Sequence, residues 1–131
     1  MQKKIFMIQK KSVKIMTNYR PSELCREHFR RLEIMTMYSQ YIYSLMLYTV
    51  GNQHLFSSNN SIHQYRTRYN NDLHLPIVNL KKYKDGPYFM AIKIYNHLPE
   101  YIKALTSDLK SFKKTLKGFL CRHSLYSIQE Y

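Results

Sequence analysis

Apolar and polar residues alternate along most of this chain with the 3.6-residue period of a helix, and lysines mark the polar side at both ends. Placed on a wheel at about 100° per residue, residues 2–16 put Lys3, Lys4, Lys10, Lys11 and Lys14 within an arc of about 120°. Ile5, Phe6, Ile8, Val13, Ile15 and Met16 take the other side. Near the far end, residues 109–120 repeat the arrangement, with Leu109, Phe112, Leu116, Phe119 and Leu120 on one face and Lys110, Lys113, Lys114 and Lys117 opposite. Between these two helices the pattern predicts others. Pro21 suits the first residue of a helix reaching about Leu32, with Glu23 in the first turn facing the positive end of the helix dipole. Thr36 is placed to cap a third helix that Gly51 ends, and that helix is apolar nearly all round, which marks it as the buried centre.

After Gly51 the periodicity stops. Residues 52–75 are rich in Asn, Ser, His and Gln and predict one long, flexible polar loop whose tail gathers His63, Tyr65, Arg66, Arg68 and His74. Residues 77–83 predict an extended piece ending in a turn at Asp85, Gly86 and Pro87. Residues 88–97 return to a helical period with Phe89, Ile92 and Tyr95; Leu98 and Pro99 interrupt it, and Pro99 opens a short helix to Leu105. Ser107 or Thr106 is the predicted cap of the last helix. No internal repeat is visible. The expected fold is mainly α: a small helical domain of five or six helices over residues 1–131, centred on Phe29, Ile42, Leu45 and Met46.

Composition supports a core of this kind. With 131 residues, 44% of them apolar, the chain is one domain's worth and buries about two-thirds of its unfolded surface. The 21 basic and 8 acidic side chains give a net charge of +13. That balance points to an anionic partner, because lysines aligned on one helix face can sit against a row of phosphates while scattered ones only aid solubility. Thirteen tyrosines supply apolar area with a polar tip, which fits half-buried faces first and base stacking second.

Other chemistries find little support. Two cysteines, Cys25 and Cys121, allow neither a disulfide framework nor a four-cysteine zinc site, and they fit a reduced, intracellular setting, cytoplasmic or nuclear. Cys25 and His28 share the apolar stripe of the second helix, where a packed thiol and a half-buried imidazole are expected instead of a catalytic pair. His54, His63 and His74 lack the short paired spacing of metal ligands, and no glycine-rich phosphate loop occurs, so neither metal nor cofactor is expected. The uncharged run 34–50 is 17 residues long, short for a bilayer, and carries Thr36, Ser39, Gln40 and Ser44. Lysines interleaved with the apolar residues of 1–16, in place of a clean hydrophobic segment, lead us to expect that this stretch is not a secretory signal. Basic amphipathic helices can lie on a membrane surface, but here the apolar faces are expected to be used in closing the core, so no membrane partner is predicted.

Four strings together resemble the C-terminal region of insect non-LTR retrotransposon reverse transcriptases of the jockey type: residues 8–16, 62–68 (IHQYRTR), 86–103 (GPYFMAIKIYNHLPEYIK) and 125–131. Their order and spacing match as well as their content, and 86–103 is the most specific. Ala91 departs from the glycine of that pattern. The resemblance implies a helical extension that follows a polymerase, without the polymerase itself. No two of the acidic residues Glu23, Glu27, Glu33, Asp72, Asp85, Glu100, Asp108 and Glu130 are adjacent, so the metal-binding aspartate pair of polymerase chemistry is missing and no enzyme activity is expected. The expected role is non-specific binding of RNA or DNA backbone by Lys3, Lys10, Lys11, Lys14, Arg66, Arg68, Lys110, Lys113, Lys114 and Lys117, with Tyr65 stacking on a base. The rival expectation is a structural extension that docks on a reverse transcriptase core. A third is a truncated element copy without function, since Met1 stands only a few residues before the matching region.

Overall fold

A computed structural model describes residues 1–18, 24–62, 68 and 71–131. Among these the fold is mainly helical, with no β-strand and one isolated antiparallel bridge, Ser58 to Leu73. The helices are α1 (Gln2–Met16), α2 (Cys25–Arg31), α3 (Met37–Gly51), α4 (Asn59–Ile62), α5 (Lys81–Lys84), α6 (Pro87–Asn96), α7 (Glu100–Lys103) and α8 (Leu109–His123). Five of these have seven residues or more and three are single turns of four, which accounts for the five or six helices read from periodicity. The chain divides into two compact units, residues 1–43 with 113–131, and residues 44–112. Among the described residues no helix is long and apolar enough to cross a membrane.

In the first unit Phe6 and Val13 of α1 meet Cys25 and Phe29 of α2, with Ile34, Met37, Tyr38 and Tyr126 packed around them. The aromatic rings carry much of this core: Phe6 lies edge-on to Tyr38 at 5.3 Å and to Tyr126 at 4.9 Å, and Phe29 edge-on to Tyr126 at 6.3 Å. Burial, with the neighbouring Cys25 reinforcing it, pushes the Tyr126 phenol up to about 12. Glu130 anchors the same segment by accepting two hydrogen bonds from Arg26, both at 3.2 Å, and one from the Tyr126 N–H at 3.1 Å.

The buried face of α1 is narrower than its apolar content predicts. Only Phe6 and Val13 are buried, while Ile5, Ile8, Ile15 and Met16 are exposed. The reason is angular. Gln9, beside Val13 on the wheel, is turned inward, where its amide donates to the Met35 carbonyl at 3.0 Å and accepts from the Met37 N–H at 2.8 Å. The helix therefore seats on the Phe6–Gln9–Val13 edge instead of on its isoleucines.

Thr36 is the cap of α3, as its position predicts. Its hydroxyl accepts from the Ser39 N–H at 3.2 Å and donates to the carbonyl of Leu125, fully buried. Thr36→Val keeps the shape and removes both bonds, so we expect a loss of about 2–4 kcal/mol from the missing cap and the orphaned carbonyl. Thr36→Ser should cost under about 1 kcal/mol. Urea midpoints compare the two, and equal losses would show that the methyl group, not the hydroxyl, holds this corner.

In the second unit Phe56, Ala91 and Ile92 form a core with Leu45 and Leu73 against it. Phe56 stacks on Tyr88 at 5.2 Å, nearly parallel. Where residues 52–75 predict a loop, the described part carries a 3-10 turn at Gln53–Leu55 and the single turn α4. Its mouth is closed by Asn59 N–H to Asp72 O at 2.9 Å and His74 N–H to Ser57 O at 2.6 Å. Asn96, at the end of α6, clamps the far side by exchanging both amide hydrogen bonds with the Leu73 backbone, at 2.8 and 2.9 Å. Lys103 completes the corner with bonds to Asp72 and to the Asn96 carbonyl, each at 3.0 Å.

Three local expectations are corrected. Residues 81–84 are helical and not extended, because the turn that follows closes back on them through Asp85 N–H to Lys81 O and Gly86 N–H to Tyr83 O, both at 3.0 Å. The cap of α8 is Asp108 in place of Ser107 or Thr106. Its carboxylate accepts from Ser111 Oγ at 2.6 Å, and this bond holds the Asp108 carboxyl below the usual aspartate range. The second helix begins at Cys25; Pro21 and Glu23 lie outside the described residues.

Candidate nucleic-acid interface

The lysines of the last helix are exposed because the opposite face is used. Phe112, Leu116 and Leu120 are fully buried, Phe119 is half-buried, and Lys110, Lys113, Lys114 and Lys117 all reach solvent. Leu109, predicted inside, is exposed in the first turn. Arg122 and His123 in the last turn complement the negative end of the helix dipole.

Cys121 breaks the simple two-faced picture. It falls on the lysine side of the wheel and is nevertheless buried, since its thiol is directed at the Glu33 carbonyl at 3.5 Å, at the end of α2. Burial pushes the thiol up, which suits a packed side chain and not a nucleophile. By covering Cys121, the end of α2 turns the exposed lysine row of α8 into one wall of a groove. This groove has a volume of about 570 Å3 and is lined by Arg30, Glu33, Lys114, Lys117, Gly118, Cys121 and Arg122. Four cations face one carboxylate. Gly118 leaves the floor without a side chain, and an added Cβ there would touch nothing within 4 Å, so a ligand can approach the backbone of α8.

The other wall depends on how α2 stops. The Ile34 N–H donates to the Phe29 carbonyl at 3.0 Å and the Glu33 N–H to the Arg30 carbonyl at 3.1 Å, the paired bonds of a Schellman ending, with Ile34 packed on the Phe29 cluster. That ending needs a left-handed residue at position 33, where the chain has a glutamate at φ 53°. Glu33→Gly therefore relieves strain and removes the one carboxylate of the groove together. We expect a stability gain of about 1 kcal/mol, roughly 3–5 °C in Tm, with a several-fold gain in affinity for a polyanion. Thermal unfolding and filter binding of the same sample check both signs.

Arg30 and Arg122 were not among the residues the periodicity singled out. Arg30 sits 2.7 Å from Glu27 on its own helix, an exposed pair worth little, and nothing in the local sequence signals that it meets a helix beginning nearly 80 residues later. Of the sequence-predicted residues, only Lys114 and Lys117 line the groove. Lys3, Lys11 and Lys14 are exposed on α1. Lys10 is half-buried with its ammonium 4.9 Å from the Phe6 ring and 5.6 Å from that of Tyr126, so its charge is spent on the core. Arg68 is exposed and lines a different, polar cavity with Asp72, Tyr95, Asn96 and Lys103. Tyr65 and Arg66 lie outside the described residues, as does His63.

Cys25 and His28 are held apart chemically: the Cys25 thiol is directed at the Lys10 carbonyl at 3.9 Å, and His28 Nδ1 pairs with the Arg31 guanidinium at 2.9 Å. Among the described residues no three His, Cys, Asp or Glu side chains converge as a metal site would require. Comparison with protein-family models, with curated proteins and with solved structures finds no match to this chain.

Proposed function

We propose that this chain is a non-catalytic nucleic-acid-binding segment that grips the phosphate backbone in the groove between α2 and α8. The observation that carries the reading is the four-to-one excess of cations over carboxylates around an open glycine floor: Arg30, Lys114, Lys117 and Arg122 against Glu33. Guanidinium groups suit phosphate because they donate two parallel hydrogen bonds, and lysines add point charges along the strand. Such contacts fix position without reading sequence, so the binding is expected to be non-specific. The resemblance to the tail of jockey-type reverse transcriptases supports the same reading, with template RNA or target DNA as the polymer held.

The test is salt dependence. Four to six neutralised phosphates give a slope of about −3.5 to −5.5 for log affinity against log salt on duplex DNA, from about −0.9 per contact, and a shallower slope on single strands at about −0.7 per contact. A slope near zero would remove the proposal.

A further inference from the structure

The expectation of no internal repeat is corrected on the scale of one helix: residues 2–15 consist of two heptads that align one on the other, Gln-Lys-Lys-Ile-Phe-Met-Ile and Gln-Lys-Lys-Ser-Val-Lys-Ile. The structure shows which heptad positions the fold uses. Phe6 and Val13, seven apart, are the buried pair, and Gln9 is hydrogen-bonded to the backbone of residues 35 and 37. Met1, Ile5, Ile8, Ser12 and Ile15 follow one another at spacings of four and three, the seam of a coiled coil, and none is buried. Ile8 and Ile15 are 64% and 79% exposed. Solvent-facing isoleucines in regular register are a costly surface to leave open, and a strict seam of this width fits a helix better than a flat apolar face does.

The charges beside the seam select its occupant. Lys4 and Lys11, one per heptad, flank it on the side away from the core, and among the described residues no carboxylate pairs with either. No acidic residue occurs anywhere in α1. A second copy of α1 would set these lysines against each other when antiparallel and against glutamines when parallel, with no attraction in either case. We infer that the exposed seam of α1 docks an acidic amphipathic helix of a partner protein, whose apolar residues pack on Ile5, Ile8 and Ile15 and whose carboxylates meet Lys4 and Lys11. Two heptads make a small interface, so the complex belongs to the transient, roughly micromolar class. This inference is independent of the groove between α2 and α8.

The probe is a labelled three-heptad peptide with Ile and Leu in the seam and Glu at both flanking positions, titrated into the full chain by fluorescence anisotropy. A scrambled peptide of the same composition and a Lys-flanked version serve as comparisons. Binding of the Glu-flanked peptide alone is expected, with at least a tenfold loss in the double variant Ile8→Glu and Ile15→Glu, both exposed positions where the fold should survive, which circular dichroism checks. The double variant Lys4→Glu and Lys11→Glu should exchange preference to the Lys-flanked peptide, a reversal that a loss of folding cannot produce. Equal binding of the scrambled peptide, or an unchanged Ile8→Glu and Ile15→Glu variant, overturns the inference. So does binding of phosphatidylserine vesicles without the peptide, or a self-dimer in sedimentation that the same variant dissolves.

Discussion

Ile42→Asp should leave the chain unfolded at room temperature. Ile42 is fully buried near the middle of α3. An uncompensated charge in such a place costs several kcal/mol, on top of the cavity left by the lost side chain, and the total is comparable with the whole stability of a domain this size. The matched control is Asn59→Asp, a partly exposed position at the start of α4 where a negative charge complements the helix dipole and should change stability by less than about 0.5 kcal/mol. Circular dichroism at 222 nm separates the two directly, and equal melting temperatures would remove α3 from the centre of the fold.

The second large effect is expected in binding. Exchanging Lys114, Lys117 and Arg122 for glutamine keeps helix propensity nearly level and leaves the buried face of Phe112, Leu116 and Leu120 untouched, so α8 should persist. Three lost phosphate contacts should flatten the salt slope by about 2–3 units and weaken affinity about a hundredfold near physiological salt, with little change in preference between sequences. Lys3→Gln with Lys14→Gln, on exposed positions of α1, serves as the comparison, with the slope change read per charge removed. If that pair flattens the slope more per charge than the groove variant does, the phosphates lie on α1 and the groove is a solvated surface.

How far these features could be read from sequence depends on the range of the interaction behind them. Helix limits set by local chemistry were legible: α1 from its lysine period, α3 from the Thr36 cap, and α6 to within one residue from the apolar period of 88–97, although Pro87, read as part of the preceding turn, is its first helical residue. The cap of α8 was missed by one residue, since Thr106, Ser107 and Asp108 are all competent and only the Ser111 contact decides among them. Amphipathicity identified the lysine rows but overcounted the buried side of α1, because apolar content alone does not say that Gln9 has backbone partners at residues 35 and 37. The groove was half legible. Lys114 and Lys117 follow from the period of one helix, whereas Arg30, Glu33 and Arg122 become neighbours through the thiol of Cys121 and a left-handed stop, neither of which has a periodic signature.

The first unit is assembled from two stretches, 1–43 and 113–131, and the second from one continuous stretch, 44–112. Chain connectivity thus ranks them. A growing polypeptide holds every residue of the second unit once position 112 is made, while Phe6 and Phe29 must wait for Tyr126, and Arg26 for Glu130 across 104 positions. Closing so long a loop costs only logarithmically more than a short one, but it delays the contacts that reward it. Both walls of the basic groove lie in this discontinuous unit, one in residues 30–33 and the other in 114–122. A nascent chain that stops before α8 therefore has the early lysines of α1 but no groove, and the basic groove itself arrives only with α8.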